Sequence, residues 1–234
     1  MTTNNLFLQL NSHLLEDSNP SVFLNQVSAQ PEFYKYPFRM LYAMKDTPQS
    51  PKHHPEGSVW NHTMLVVDEA SNVKGKSKNP PVFMWAALLH DIGKPPTTKI
   101  RKNKITSYDH DTVGAKLADE FLRCFINDET FIKNVCNLVR YHMHILYVLN
   151  RLPFGDIQGM LKDVEIEEIA WFGLCDRLGR GNVDRNLEEE QIKAFIQTCK
   201  SMKGNDYGKS RNAKAEPKRT SRNGKQPQNP HSKK

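Results

Sequence analysis

Apolar residues recur three and four positions apart along most of this chain, the spacing of one face of an α-helix. The pattern predicts helices over 4–16, 19–28, 31–45, 58–72, 80–91, 110–126, 128–142, 153–162, 165–178 and 184–202. Ser18-Asn19-Pro20 is a start signal for the second of these. The stretch 31–45 is rich in Phe, Tyr and Met and is expected to pack on the core, since aromatics at helical spacing are ordinarily buried. Pro48 to Gly57 has no period and is expected to be a loop. Only Thr97 to Tyr108 departs from helix: β-branched and basic residues alternate around Lys102-Asn103, the mark of a short β-hairpin. With no repeat and no heptad, helices plus one small hairpin make an all-α fold.

Composition bounds the rest. A chain of 234 residues that is 38% hydrophobic can bury one substantial core. No interior linker appears, so residues 1–203 are expected to form one helical domain. Cys124, Cys136, Cys175 and Cys199 stand far apart with no Cys-x-x-Cys pair, which argues against a zinc ribbon or a disulfide framework and for buried thiols in a reducing compartment. No apolar run approaches the ~18 residues of a membrane span, and no signal-like start precedes the first helix; a cytoplasmic protein with no membrane association is expected. The net charge of +7 is misleading, because residues 203–234 carry ten Lys or Arg against two acids and the preceding 202 residues sum to −1. Residues 204–234 have almost no apolar residue and are expected to be disordered. They read either as a solvated tail or as a basic arm that contacts RNA.

The chemistry sits at Met84-Trp85-Ala86-Ala87-Leu88-Leu89-His90-Asp91-Ile92-Gly93-Lys94, where an apolar helix ends in an adjacent imidazole and carboxylate. Both can reach one divalent cation, and Gly93 with Pro95-Pro96 breaks the helix and leaves coordination positions open, the arrangement of a reactive site. Donors of the same kind lie near the ends of other helical segments: His62, His110, His142 and Asp176. In the order H…HD…H…H…D they resemble the HD superfamily of metal-dependent phosphohydrolases. Pro51 to Thr63, the His90–Lys94 box, His110-Asp111 with Gly114-Ala115, and Asp176-Arg177-Leu178-Gly179-Arg180 are together similar to the HD domain attached to some bacterial CCA-adding tRNA nucleotidyltransferases. That resemblance covers roughly residues 30–182. The nucleotide-adding head domain is not represented, because no Gly-rich strand opening with paired acids occurs.

The resemblance implies an HD-domain helical bundle, with His62, His90, Asp91 and Asp176 holding one metal. His110 and His142 match positions that complete a second metal site in two-metal members, Asp91 bridging; in one-metal members such histidines are substrate contacts or general acids. The donors are nitrogen and oxygen only, a set that suits Mn, Fe, Ni, Co, Mg or Zn. The catalytic residues are then Asp91, Lys94, His110 and His142. Lys94 would offset charge on a phosphoryl group, or be a solvated loop lysine. Lys94, Lys99, Arg101, Lys102 and Lys104 form either a phosphate-binding rim or a solvated face. Arg177 and Arg180 either bind substrate phosphate, together with His54 at the mouth, or pair with Glu on a neighbouring helix. Asp109 and Asp111 either orient an imidazole or cap the next helix. His53 is also expected at the mouth, and His13, His144 and His231 as structural or surface residues. The implied activity is hydrolysis of phosphomonoesters or 2′,3′-cyclic phosphodiesters of nucleotides or RNA ends, protein partners being unspecified. Signatures of guanosine tetraphosphate hydrolases and cyclic di-GMP phosphodiesterases are missing, and Lys94 replaces the acid favoured by 5′-nucleotidase-like members. The alternative is an RNA-binding or regulatory module with a vestigial pocket and a working basic tail.

Overall fold

The computed structural model describes residues 2–102, 104–181 and 183–213, with side chains described up to 203. The described residues are mainly helical. α1 (Thr3–Glu16) and α2 (Pro20–Val27) lead into α3 (Arg39–Tyr42), α4 (Val59–Val73), α5 (Pro80–Leu89) and a short turn of helix, α6 (Lys94–Thr97). A hairpin of β1 (Thr98–Arg101) and β2 (Lys104–Ser107) follows. Then come α7 (His110–Arg123), α8 (Glu129–Tyr141), α9 (His144–Leu149), α10 (Ile157–Asp163), α11 (Ile166–Leu178) and α12 (Arg185–Ala213). No helix among the described residues is long and apolar enough to cross a membrane.

α5 is the central element. Asn79 accepts a hydrogen bond from the Val82 amide, and Pro80 and Pro81 fill the first turn, where a missing N–H costs nothing. Every residue from Val82 to Leu89 is then buried, as expected of a helix that is apolar on all sides. α1, α4, α8 and α11 pack around it. Side-chain caps also open four other helices: Thr2 for α1, Ser58 for α4, Asp128 for α8 and Asp156 for α10.

The hairpin forms where alternation predicts it, with Ile100 opposite Ile105 and Thr98 opposite Ser107. The continuous helix expected at 31–45 does not form. The segment is a 3-10 turn (Pro31–Tyr34), α3 and a second 3-10 turn (Ala43–Asp46). Pro37 has no N–H to donate and restricts the residue before it, and Lys35 is already extended. Phe33, Phe38, Leu41 and Met44 still reach the core. The element expected at 153–162 starts at Ile157, after Pro153, and α12 runs beyond its expected end at 202 to Ala213. The rest of the basic segment, with His231, lies outside the described residues. All four cysteines are free, but Cys124 is exposed rather than buried.

One close approach fixes the site's geometry. A Cβ on Gly93 would lie 2.1 Å from the His110 carbonyl oxygen and 2.5 Å from the Gly114 nitrogen. Only glycine lets the chain after α5 touch the start of α7, and this contact draws His90-Asp91 and His110 together.

Candidate metal centre

Five helix ends converge on Asp91. His62 lies in the first turn of α4, His90 caps the end of α5 and Asp91 follows it; His110 opens α7, His142 caps the end of α8 and Asp176 lies in the last turns of α11. All six are buried. Three groups among the described residues could hold a metal ion: His62 with His90 and Asp91, Asp91 with His110 and His142, and, away from Asp91, His54 with Glu56 and His62.

Asp91 stands between the first two groups. Its Oδ2 is 3.2 Å from His90 Nε2 and 3.9 Å from His62 Nε2, and its Oδ1 is 3.6 Å from His110 Nε2 and 3.8 Å from His142 Nε2. Asp176 Oδ1 joins the first group at 2.9 Å from His62 Nε2. Two donors each about 2.1 Å from one ion lie about 3 Å apart at right angles and about 4 Å apart in trans, so these separations fit a shared cation.

Tautomers point the same way. The Nδ1 atoms of His90, His110 and His142 face the carbonyl oxygens of Ala87, Ser107 and Val139 at 2.9, 2.7 and 2.7 Å. A carbonyl only accepts, so each Nδ1 donates and each neutral ring keeps a lone pair on Nε2. His110 and His142 thus aim two lone pairs at each other across 3.1 Å, an arrangement that calls for a cation or a proton between them. His90 Nε2 and both Asp91 oxygens have no hydrogen-bond partner, although they are buried. Besides the two imidazoles, Oδ2 has the Lys94 ammonium at 2.7 Å, in ion-pair rather than hydrogen-bond geometry. Buried polar atoms left in this state are expensive unless something binds them. The donor set therefore fits divalent cations.

Charge follows from these neighbours. Burial alone would raise the Asp91 carboxyl, but His90 and Lys94 hold it well below the usual range. Burial opposes ionisation of Asp176 too, and Arg180 and His62 overcome it. Burial lowers His110, and burial with the neighbouring His110 pushes His142 down to about 3. His62 is the exception: despite burial its pKa is raised, because Asp176 and Glu56 flank it.

These shifts give a pH dependence for the metal-free protein. Unfolded histidines titrate near 6.5. Those held lower in the fold bind fewer protons than in the unfolded chain, so acidification below that value favours unfolding. His142 is held at about 3, and burial, with Arg140 and Lys94 respectively, holds His144 and His54 at about 4. Each costs on the order of 1–2 kcal/mol by pH 5. His62 opposes them in part, whereas Asp91 and Asp176 stay ionised and act only below about pH 4. Urea midpoints of chelator-treated protein are therefore expected to fall between pH 7 and 5. A midpoint that holds or rises on acidification would mean these imidazoles are not buried neutral.

The site opens into a cavity of about 650 Å³. Asp91, Lys94, His110, His142, Asp176 and Arg180 line it, and His53 and His54 are also on its wall. Lys94 is buried, not solvated, with Nζ 2.6 Å from Gln49 Oε1. Lys99, Arg101 and Lys104 are exposed on the hairpin, and with Lys102 they do not line the cavity, so the basic rim reduces to Lys94. Arg177 is not at the cavity: it pairs with Glu188 and Gln191 of α12. Helical phase explains the split, since Arg180 is four residues beyond Asp176 on its face, 3.4 Å away, whereas Arg177 is rotated about 100° from Asp176. Asp109 takes the cap position of α7 with φ +60° but makes no side-chain cap, and Asp111 pairs with Arg140 at 2.7 Å. His144 is buried between Tyr141 and Tyr147, and His13 pairs with Asp17 at the surface.

Two contributors were not legible beforehand. Glu56, in the loop before α4, places Oε1 2.9 Å from His62 Nδ1 and 2.8 Å from His54 Nδ1, and so orients the His62 ring from the side opposite Asp176. Gln49, in the same loop, holds Lys94. A loop has no period from which such contacts could be read.

Comparison with known proteins agrees with this arrangement. Residues 59–165 match the family model of the HD domain. The chain is 35% identical over 196 residues to the multifunctional CCA protein of Mannheimia succiniciproducens, covering 79% of this chain and 46% of that protein. It is 38% identical over 99 residues to that of Actinobacillus pleuropneumoniae (42% and 23%) and 26% identical over 175 residues to that of Halorhodospira halophila (70% and 40%). The chain thus spans less than half the length of these relatives. Residues 59–165 of this chain are thus an HD domain, with His and Asp side chains that could hold a metal gathered at the helix ends it spans.

Proposed function

We propose that the chain is a metal-dependent phosphohydrolase acting on phosphomonoesters or 2′,3′-cyclic phosphodiesters of nucleotides or RNA ends. The observation that carries this reading is the Asp91 carboxylate, with both oxygens unpaired by hydrogen bonds and an imidazole pair facing each of them. His62, His90, Asp91 and Asp176 would hold one divalent ion, and Asp91, His110 and His142 a second. Bound there, such ions supply a water of lowered pKa and polarise a phosphoryl oxygen.

This chain's own residues do the rest. His142 is pushed down to about 3 and His110 is lowered, both first by burial, so at neutral pH each offers a lone pair and neither stores a proton; this favours ligation over general-acid work. Lys94 keeps an ammonium beside Asp91, where it would offset charge developing on the phosphoryl oxygens. Arg180 and Arg140, on the cavity wall, add cations that would hold the ester's phosphate. Similarity to multifunctional CCA proteins supports substrates of the nucleotide and RNA-end class, and the basic segment 204–234 would add a salt-sensitive contact to RNA.

The test is metal analysis of the purified protein, then a screen of adenosine 5′-monophosphate, cytidine 2′,3′-cyclic phosphate and ribose 5-phosphate with Mn, Ni, Co, Mg or Zn. Hydrolysis that chelation abolishes and one of these metals restores is expected. Activity surviving exhaustive chelation, or none with any metal bound, overturns the reading.

A further inference from the structure

Tyr108 and Phe154 are the two most exposed large hydrophobic side chains among the described residues, at 78% and 72%, and both line the cavity above Asp91. Single exposed apolar residues are unremarkable on a protein surface. Two aromatic rings from different segments at one cavity are another matter. Each is presented by a turn with a left-handed residue. Tyr108 follows β2 and precedes Asp109 at φ +60°, and Phe154 follows Arg151 at φ +52° beyond α9. The second turn is pinned, because the Leu152 amide donates to the Tyr147 carbonyl at 2.8 Å. Gly155 sits so close to Tyr147 that a Cβ there would be 3.1 Å from the ring. Phe154 then meets the Tyr147 ring edge-on, with centroids 6.1 Å apart.

The lining of this cavity is therefore of two kinds, charged and imidazole groups such as Asp91, His110, His142, Lys94 and Arg180, and apolar side chains, Met143, Leu146, Leu152 and the aromatic rings. Its volume of about 650 Å³ lies within the range of small-molecule sites. An occupant matching both kinds has an anionic phosphoester and a flat apolar face, which is the make-up of a nucleotide. We infer that Tyr108 and Phe154 form a nucleobase subsite, stacking the base of a nucleoside phosphoester whose phosphate lies beside Lys94 and Asp91. This rests on the phosphohydrolase reading and specifies its substrate. Stacking uses the π-face that every base has, so the subsite takes purines and pyrimidines alike.

The experiment uses the full chain, metal-loaded and chelator-treated, titrated with 2-aminopurine riboside 5′-monophosphate, whose fluorescence is quenched when its base stacks. Quenching is expected with the wild type. Phe154→Ala and Tyr108→Ala each weaken that binding by about fivefold or more. Phe154→Trp restores it, and Tyr34→Ala, an exposed aromatic away from the cavity, does not alter it. In hydrolysis, Phe154→Ala lowers kcat/KM for adenosine 5′-monophosphate relative to ribose 5-phosphate by the same factor. Absence of quenching with the wild type, or quenching and substrate ratio both unchanged in the two alanine variants, overturns the subsite. If no phosphoester is hydrolysed the phosphohydrolase reading falls, and the fluorescence titration still decides the subsite.

Discussion

Asp91→Asn is expected to abolish metal retention and phosphoester hydrolysis together. The side chain is 1% exposed, and its two oxygens serve both imidazole groups, so an amide of the same shape removes the charge on which both converge. Loss of a partner one shell out from a metal ordinarily costs 10- to 100-fold, and loss of this carboxylate should exceed that, by more than about a hundredfold in kcat/KM. Helix content should persist, because the core around α5 does not depend on Asp91. Stability should not: the change leaves the buried Lys94 ammonium without its counter-ion, and breaking a buried pair costs about 3–5 kcal/mol. Metal analysis, circular dichroism and a melting curve on the same sample check all three. Full metal content with more than a tenth of parental activity would remove Asp91 from the centre.

Lys94→Met is expected to separate charge stabilisation from metal binding. Methionine keeps much of the stem's bulk and removes the ammonium that lies 2.7 Å from Asp91 Oδ2. Loss of one preorganised electrostatic contact costs about 2–4 kcal/mol of transition-state stabilisation. The turnover number should fall accordingly, with metal content unchanged and KM little affected. An unaltered kcat would mean that Lys94 serves only as the counter-ion of Asp91 in the metal-free fold.

How much of this could be read from the chain depends on what periodicity encodes. The burial of α5, the hairpin around Lys102 and the start of α4 at Ser58 follow from local chemistry, and all appear. The break between Pro31 and Asp46 was also written locally, in Pro37, but the aromatic spacing of that stretch masked it. α9 escaped because His144–Leu149 is a short apolar run with no stop signal separating it from α8. Arg177 and Arg180 show the limit most clearly. Both follow Asp176 closely, yet Arg177, on α11, turns towards α12, whereas Arg180, just past the helix end at Leu178, turns to the cavity.

The sequence by itself determined the helical character, because it depends on residue type and near spacing, and the order of motifs that resembles the HD superfamily pointed to His62, His90-Asp91, His110, His142 and Asp176 as candidate donors, all of them N or O. Tertiary structure alone decided which imidazole pair faces which oxygen of Asp91, that Glu56 and Gln49 come from a loop to hold His62 and Lys94, and that Tyr108 and Phe154 share a cavity with the candidate donors. Those outcomes rest on which helix ends and turns meet. That is set by long-range packing, such as the Gly93–Gly114 contact, and helical period says which face a residue occupies without saying what will lie opposite.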